Sequence, residues 1–320
     1  MFALSREYLE AARASGDDTA LILGQRIHAV ALLMRGDVEG ARGLARQSLS
    51  LYVPERHQPL IARFGQGLRV QALNYLAISQ ALLGRIDEAI GNARSVNHIN
   101  TLAYALWHCG VWLPAILRDT DALRRHGAEL LELARAHRLG FWEAIASPFL
   151  LEGEEAERAV SVYRREFNAG LTVPMLLCRV ADSYVASGRT ADATRVLAEA
   201  QELMEQHGEV YWEPELFRLR GRLAAAGRGA SVEAVAEFER ALALARERGA
   251  RLLELRAATD LARLQAAQGQ PVEARKVLAP VHGWFTGEAD AADVREARAV
   301  LAGLDGSPLP APGLGSVRSD

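Results

Sequence analysis

Apolar residues recur along this chain at helical spacing, most cleanly over the stretch 211–285, where two amphipathic hairpins follow one another, each with one face to bury against its neighbours. GASVEA at 229–234 and GQPVEA at 269–274 share one device: a Gly at a helix end and an Ala five residues further on, inside the next helix. The same pair stands at Gly36 and Ala41, at Gly84 and Ala89, and at Gly188 and Ala193. Repetition of one device predicts a helical array in which a unit buries its apolar face only by stacking on the next.

Read in order, the pattern predicts a lone helix over 1–14 and then hairpins over 19–35 with 38–51, 68–83 with 86–99, 102–117 with 120–138, 141–151 with 154–168, 173–187 with 191–207, 211–226 with 231–248, and 251–268 with 272–281. Between the first two hairpins lies a long, partly irregular connection containing Pro54, Pro59, Gly65 and Gly67. The turns at 36, 84, about 117, 153, 188, 229 and 269 are roughly 33 to 48 residues apart, at or above the 34-residue tetratricopeptide period. Ala29, Ala77, Ala181 and Ala262 each lie seven residues before a turn Gly, where a large side chain would push the paired helices apart. A last helix carries Val294, Ala297, Leu301 and Leu304 on one face, with Asp293, Arg295, Glu296 and Arg298 mostly outside it, and is expected to cap the open end. The expected fold is therefore all-α: a tetratricopeptide-like α-solenoid of about seven hairpins over residues 1–304, with a C-terminal capping helix and a disordered Gly/Pro/Ser-rich tail over 305–320.

Composition agrees with helix and narrows the chemistry. Half of the 320 residues are hydrophobic but only 6% aromatic, so the core is built mainly from Leu, Ala and Val. A net charge of -3 argues against a broad phosphate-binding surface, and nucleic acid is not an expected partner. Cys109 and Cys178 are isolated, without zinc or disulfide spacing, which fits small core residues in a reducing, cytoplasmic compartment. The apolar stretch 103–117 is interrupted by His108 and Pro114 and is too short to span a bilayer, so no membrane association is expected. The single lysine, Lys276, lies in EARKVL without a phosphate-cradling loop, and no HExxH or other metal spacing is present. No cofactor and no enzymatic activity are expected.

Other side chains admit a functional and a plain reading. His57, in the long connection, is the histidine to test as a site; His108 reads as core, and Asp119 and Asp121 as caps of the helix that follows. Trp107, Trp112, Phe141 and Trp142 either fill the space between layers or line a ligand pocket. Tyr211 and Trp212 are expected to fill the step between hairpins, and Trp284 and Phe285 to lie beneath the cap.

WEPELFRLRGRLAAAG, FERALALARERGARLLELRAATDLARL and EARKVLAPVHGWFTGEADAADVREARAVL resemble the C-terminal arm of bacterial multidomain proteins that join a class III adenylate/guanylate cyclase domain, an AAA-type ATPase and tetratricopeptide repeats. RHQPLIARFGQGLRVQALNYLAISQALLGRIDEAI resembles an earlier part of the same arm. The resemblance implies a regulatory or scaffolding arm in nucleotide signalling; the cyclase and ATPase portions are not in the sequence, so no catalytic residue carries over.

The leading expectation is a non-catalytic interaction module whose first helices line a concave groove for a protein or peptide, among them a cyclase or ATPase domain. Two alternatives stand beside it: a sensor binding a small effector between the third and fourth hairpins, and a fragment of a longer cyclase–ATPase chain. Counting ten and six residues back from the turn glycines gives the polar concave positions Arg26, Asn74, Cys178, Asp182, Thr259 and Arg263 as partner-binding candidates, with Val30 and Ile78 beside them.

Overall fold

The structure is a computed structural model that describes residues 2–60, 67–94, 102–167, 172–228, 232–285 and 291–304. Of these described residues 88% are helical, and no strand occurs among them. A lone helix, Phe2–Ser15, packs on hairpin 1 (Asp18–Met34 and Val38–Leu51), followed by hairpin 2 (Leu68–Leu82 and Ile86–Arg94). The first arm of hairpin 3 is built from Leu102–Ala105, Leu106–Trp112 and Leu113–Leu117, and its second is Thr120–Ala136. Hairpin 4 is Gly140–Leu150 with Gly153–Phe167, hairpin 5 Val173–Ala186 with Thr190–His207, hairpin 6 Glu213–Arg228 with Val232–Glu247, and hairpin 7 Arg251–Ala267 with Pro271–His282. Ala292–Leu304 lies on both helices of hairpin 7 as the cap. The chain is a tetratricopeptide-like α-solenoid.

The turn chemistry explains the regularity. Gly36, Gly84, Gly188 and Gly269 adopt φ of +82°, +79°, +74° and +75°, a conformation that costs an L side chain about 1 kcal/mol. Each turn returns two N–H groups to the preceding helix: Gly36 N–H reaches Leu33 O at 2.9 Å and Asp37 N–H reaches Leu32 O at 2.9 Å, satisfying carbonyls that the helix end leaves open. The expected turn at Gly229 lies outside the described residues. Ala29, Ala77, Ala181 and Ala262, and their counterparts Ala41, Ala89, Ala193, Ala234 and Ala274, are all buried at the contacts between helices. Asp119 caps the second helix of hairpin 3, accepting from Ala122 N–H at 3.0 Å.

Two kinds of helix result. Second helices such as Thr120–Ala136 bury one stripe, whereas Leu68–Leu82 and Arg251–Ala267 are buried almost all round. That difference has a tertiary cause: the array curls until its N-terminal turns meet its C-terminal hairpins. Met34 O accepts from Val210 N–H at 2.7 Å, and Arg248 lies against Gly36 while its Nη1 donates to Val210 O at 2.6 Å. At the next turn, a Cβ on Gly84 would stand 2.8 Å from the Phe285 ring. Leu68–Leu82 and Arg251–Ala267 touch directly across the interior.

Several expectations change as a result. Asp293, expected on the outer side of the cap, is 2% exposed because Arg118 and Arg256 reach it from hairpins 3 and 7. Trp284 is 54% exposed, under the Arg251 guanidinium at 4.8 Å, so only Phe285 packs inward. Trp107 and Trp112 are core, but Phe141 is exposed beside Trp142 at the edge of hairpin 4. Tyr211 and Trp212 are buried as expected. His57 is buried at the end of the short helix Pro54–His57, where its Nδ1 accepts from Val53 N–H at 2.9 Å and its ring lies 5.5 Å from Tyr52. Most of the irregular connection after it, and the tail 305–320, lie outside the described residues.

Candidate functional site

The six concave candidates divide between two clusters. In the C-terminal half, Arg218 of hairpin 6 donates to Glu215 at 2.7 Å and pairs with Asp260, while Arg256 of hairpin 7 spans both oxygens of Asp293 at 3.1 and 2.8 Å and donates to Ile116 O. Arg118, at the left-handed turn of hairpin 3, pairs with the same Asp293 at 3.0 Å and with Glu296 at 2.5 Å. Burial pushes the Glu215 carboxyl up, but Arg218 and Arg256 outweigh it and hold it at about 2; Arg118 and Arg263 do the same for Glu296. Four arginines and four carboxylates from hairpins 3, 6 and 7 and the cap thus neutralise one another and tie hairpin 3 to the C-terminal end of the array.

Arg263 belongs to this network, paired with Asp260 and Glu296. Asp182 is half exposed and pairs with Arg222 of hairpin 6. Cys178 is buried, with Glu215 and Arg218 close by, and burial raises its thiol pKa. Thr259 is buried and turned back on its own helix, its hydroxyl donating to Leu255 O at 2.7 Å.

The other two candidates, Arg26 and Asn74, flank a polar–aromatic cluster in the N-terminal half. Its centre is Leu106–Trp112, which is π-helical: Leu113 N–H reaches back five residues to His108 O. Such segments are rare and are concentrated at functional sites. The widened turn leaves Tyr104 O to the His108 ring, at 2.9 Å from Nδ1. A carbonyl only accepts, so Nδ1 carries the hydrogen, and burial lowers the His108 pKa to about 4, which keeps the ring neutral at neutral pH. Tyr104 lies against His108 with centroids 4.1 Å apart, Tyr75 meets the same ring edge-on at 5.3 Å, and Trp142 meets Tyr104 edge-on at 6.0 Å.

Unsatisfied donors point into this cluster. The Asn74 Oδ1 accepts from the Cys109 thiol at 3.0 Å, and its Nδ2 is buried without a partner. Arg26 Nε is also buried without one, and the buried Tyr104 hydroxyl makes no close hydrogen bond, although Tyr75 and Arg26 are near enough to interact with it. Arg26 has no carboxylate partner among the described residues, in contrast to the paired arginines of the other half. Unmet buried donors of this kind cost about 1–3 kcal/mol each, and native proteins keep few of them.

Tyr104, Arg118, Glu215, Arg218, Arg256 and Asp293 were not among the sequence-derived candidates. The available signal was a charged residue at a position the helical period assigns to the interior, as with Arg256 in RLLELRAATDLARL. No group of His, Cys, Asp and Glu among the described residues is arranged to hold a metal ion, and no helix among them is long and apolar enough to cross a membrane.

Fold and site together define a closed α-solenoid whose apolar interior holds two buried polar clusters. No protein-family model matches the chain. An uncharacterized protein of Rhizobium meliloti (strain 1021) is 25% identical over 245 residues, which cover 70% of this chain and 24% of that protein, so the chain spans about a quarter of its curated relative. Among solved structures, a Rap protein complexed with competence and sporulation factor superposes with a TM-score of 0.55 at 14% identity, covering 89% of this chain and 87% of that one. Yeast Tom70 gives a TM-score of 0.44 at 16% identity over 95% of this chain and 57% of its own. The Rap likeness establishes the fold.

Proposed function

We propose that the protein is a non-catalytic interaction module, a regulatory arm in cytoplasmic nucleotide signalling whose concave side receives a protein or peptide partner such as a cyclase or ATPase domain. The observation that carries this reading is the placement of Arg26, Asp182 and Arg263. All three stand partly exposed on first helices, the helices from which a solenoid commonly presents its binding surface, while Asn74, Cys178 and Thr259 are buried. The solved Rap complex, whose partner is competence and sporulation factor, supports binding by this fold as a general capacity. The length of the Rhizobium meliloti relative is in keeping with an arm that works beside other domains.

The test is titration of the purified chain with purified cyclase and ATPase domains from multidomain proteins of the resembled type, with circular dichroism as the folding control. Saturable binding that Arg26→Glu and Asp182→Lys together weaken by about tenfold or more, at unchanged helix content, is the expected result. Binding indifferent to both substitutions refutes the concave assignment, and no binding to either domain refutes the nucleotide-signalling role.

A further inference from the structure

Beyond partner binding, the N-terminal half of the interior is equipped for a small molecule. We propose that Arg26, Asn74 and Tyr104 bind a compact aromatic monoanion, with its carboxylate on these three donors and its ring among Tyr75, His108 and Trp142.

Three features of the cluster set the ligand class. First, the unmet groups are donors: Arg26 Nε and Asn74 Nδ2 are buried without partners, and the buried Tyr104 hydroxyl makes no close hydrogen bond, with only Tyr75 and Arg26 near enough to interact with it. Asn74 is 0% and Tyr104 7% exposed, so bulk water does not serve them. Cys109 already occupies the Asn74 Oδ1, which leaves the amide to present its N–H groups. A planar oxyanion accepts from a guanidinium and an amide at once, and such charge-assisted bonds are the stronger ones.

Second, the charge count calls for one negative charge. Arg26 is the cation of the cluster and lacks a carboxylate partner among the described residues, and the neighbouring His108 ring, donating from Nδ1 to Tyr104 O, is neutral at neutral pH. A dianion such as a phosphate monoester would leave a charge unmatched in a buried place.

Third, the walls are flat and apolar. Tyr75, Tyr104, His108 and Trp142 meet at centroid distances of 4.1 to 6.0 Å, in the tilted and edge-on arrangements that aromatic groups prefer. A further ring packs against such faces better than a polar chain does. Size follows from the closure of the array. Leu68–Leu82, which carries Asn74 and Tyr75, is buried almost all round and touches hairpin 7, so these two side chains sit in an enclosed part of the array that suits a compact ligand. Arg26, Cys109 and Trp142 are each partly exposed, so the cluster reaches solvent.

The experiment is calorimetric titration of the full chain, followed in parallel by tryptophan fluorescence, with phenylacetate, phenylacetamide, phenyl phosphate and the peptide Ala-Ala-Ala-Phe as probes. Saturable binding of phenylacetate is expected, with phenylacetamide and phenyl phosphate at least about tenfold weaker. Arg26→Gln and Asn74→Leu should each weaken phenylacetate by about tenfold or more with helix content retained. Arg26 is partly exposed, so its variant keeps the test alive if the buried Asn74→Leu chain fails to fold. Equal affinity for acid and amide, no saturation by phenylacetate, or no effect of Arg26→Gln overturns the site. Tighter binding of the peptide than of phenylacetate overturns the small-molecule assignment in favour of a chain terminus. None of these readouts involves a protein partner, so this inference and the proposed function fail separately.

Discussion

Glu209 offers a quantitative test of how the hairpins are joined. It is 3% exposed, in the step between hairpins 5 and 6, and among the described residues its carboxyl accepts only from Thr172 N–H, at 2.9 and 3.2 Å. Burial raises its pKa from 4.5 to about 8, and the single backbone hydrogen bond offsets only part of that rise. The folded state therefore holds the proton up to about pH 8, whereas the unfolded chain releases it near 4.5. Between those values the folded state binds more protons, so this group's contribution falls as pH rises through the window and levels off above it. At about 1.4 kcal/mol per pH unit, a shift of about 3.5 units amounts to about 5 kcal/mol. Glu209→Gln keeps an oxygen for Thr172 N–H and cannot ionise. His108, with its folded pKa lowered to about 4, contributes with the opposite sign up to about its unfolded value of 6.5, so wild type and variant are compared at each pH and the common histidine effect cancels. Urea denaturation followed by circular dichroism should show the stability difference, variant minus wild type, climbing by about 4 kcal/mol between about pH 5 and pH 8. A difference that stays flat across that range refutes the burial argument.

The closure gives further tests. Arg256→Leu strips Asp293 and Ile116 O of a buried donor and should cost about 3–5 kcal/mol in urea denaturation, whereas Arg118→Leu, with a half-exposed side chain, should cost clearly less. Equal losses would mean that Arg256 is not the centre of the network. Gly84→Ala meets both a positive φ and the Phe285 ring, while Gly188→Ala meets a positive φ with nothing within 4 Å of the new Cβ, so Gly84→Ala should be the more destabilising by about 1–2 kcal/mol. Similar midpoints for the two variants would argue against the packing of that turn on Phe285. The purified chain should neither cyclise nor hydrolyse ATP; magnesium-dependent turnover abolished by a point substitution in this chain would contradict the non-catalytic reading.

What the sequence determined by itself was the local part of the fold. A turn that needs a positive φ selects Gly, and a close helix contact selects Ala, so Gly36, Gly84, Gly188 and Gly269 with their buried alanines mark the hairpins in the sequence itself. Both are requirements on one residue and its immediate neighbours, which is why periodicity revealed them. The concave register also placed Arg26 and Asn74 beside the cluster on which the binding inference rests, yet it gave no sign that Tyr104 and His108 would join them, because the π-helical turn that brings them in depends on the packing around it. Only the tertiary structure decided that the array closes. Curvature accumulates from a small rotation at each hairpin, so the meeting of Met34 with Val210, or of Arg118 with Asp293, depends on the sum of many angles that no local pattern encodes. A charged residue on a first helix suits a solvated groove as well as a buried ion pair. Arg256 became the second because the cap supplied Asp293, hairpin 3 supplied Ile116 O, and their packing excluded the water.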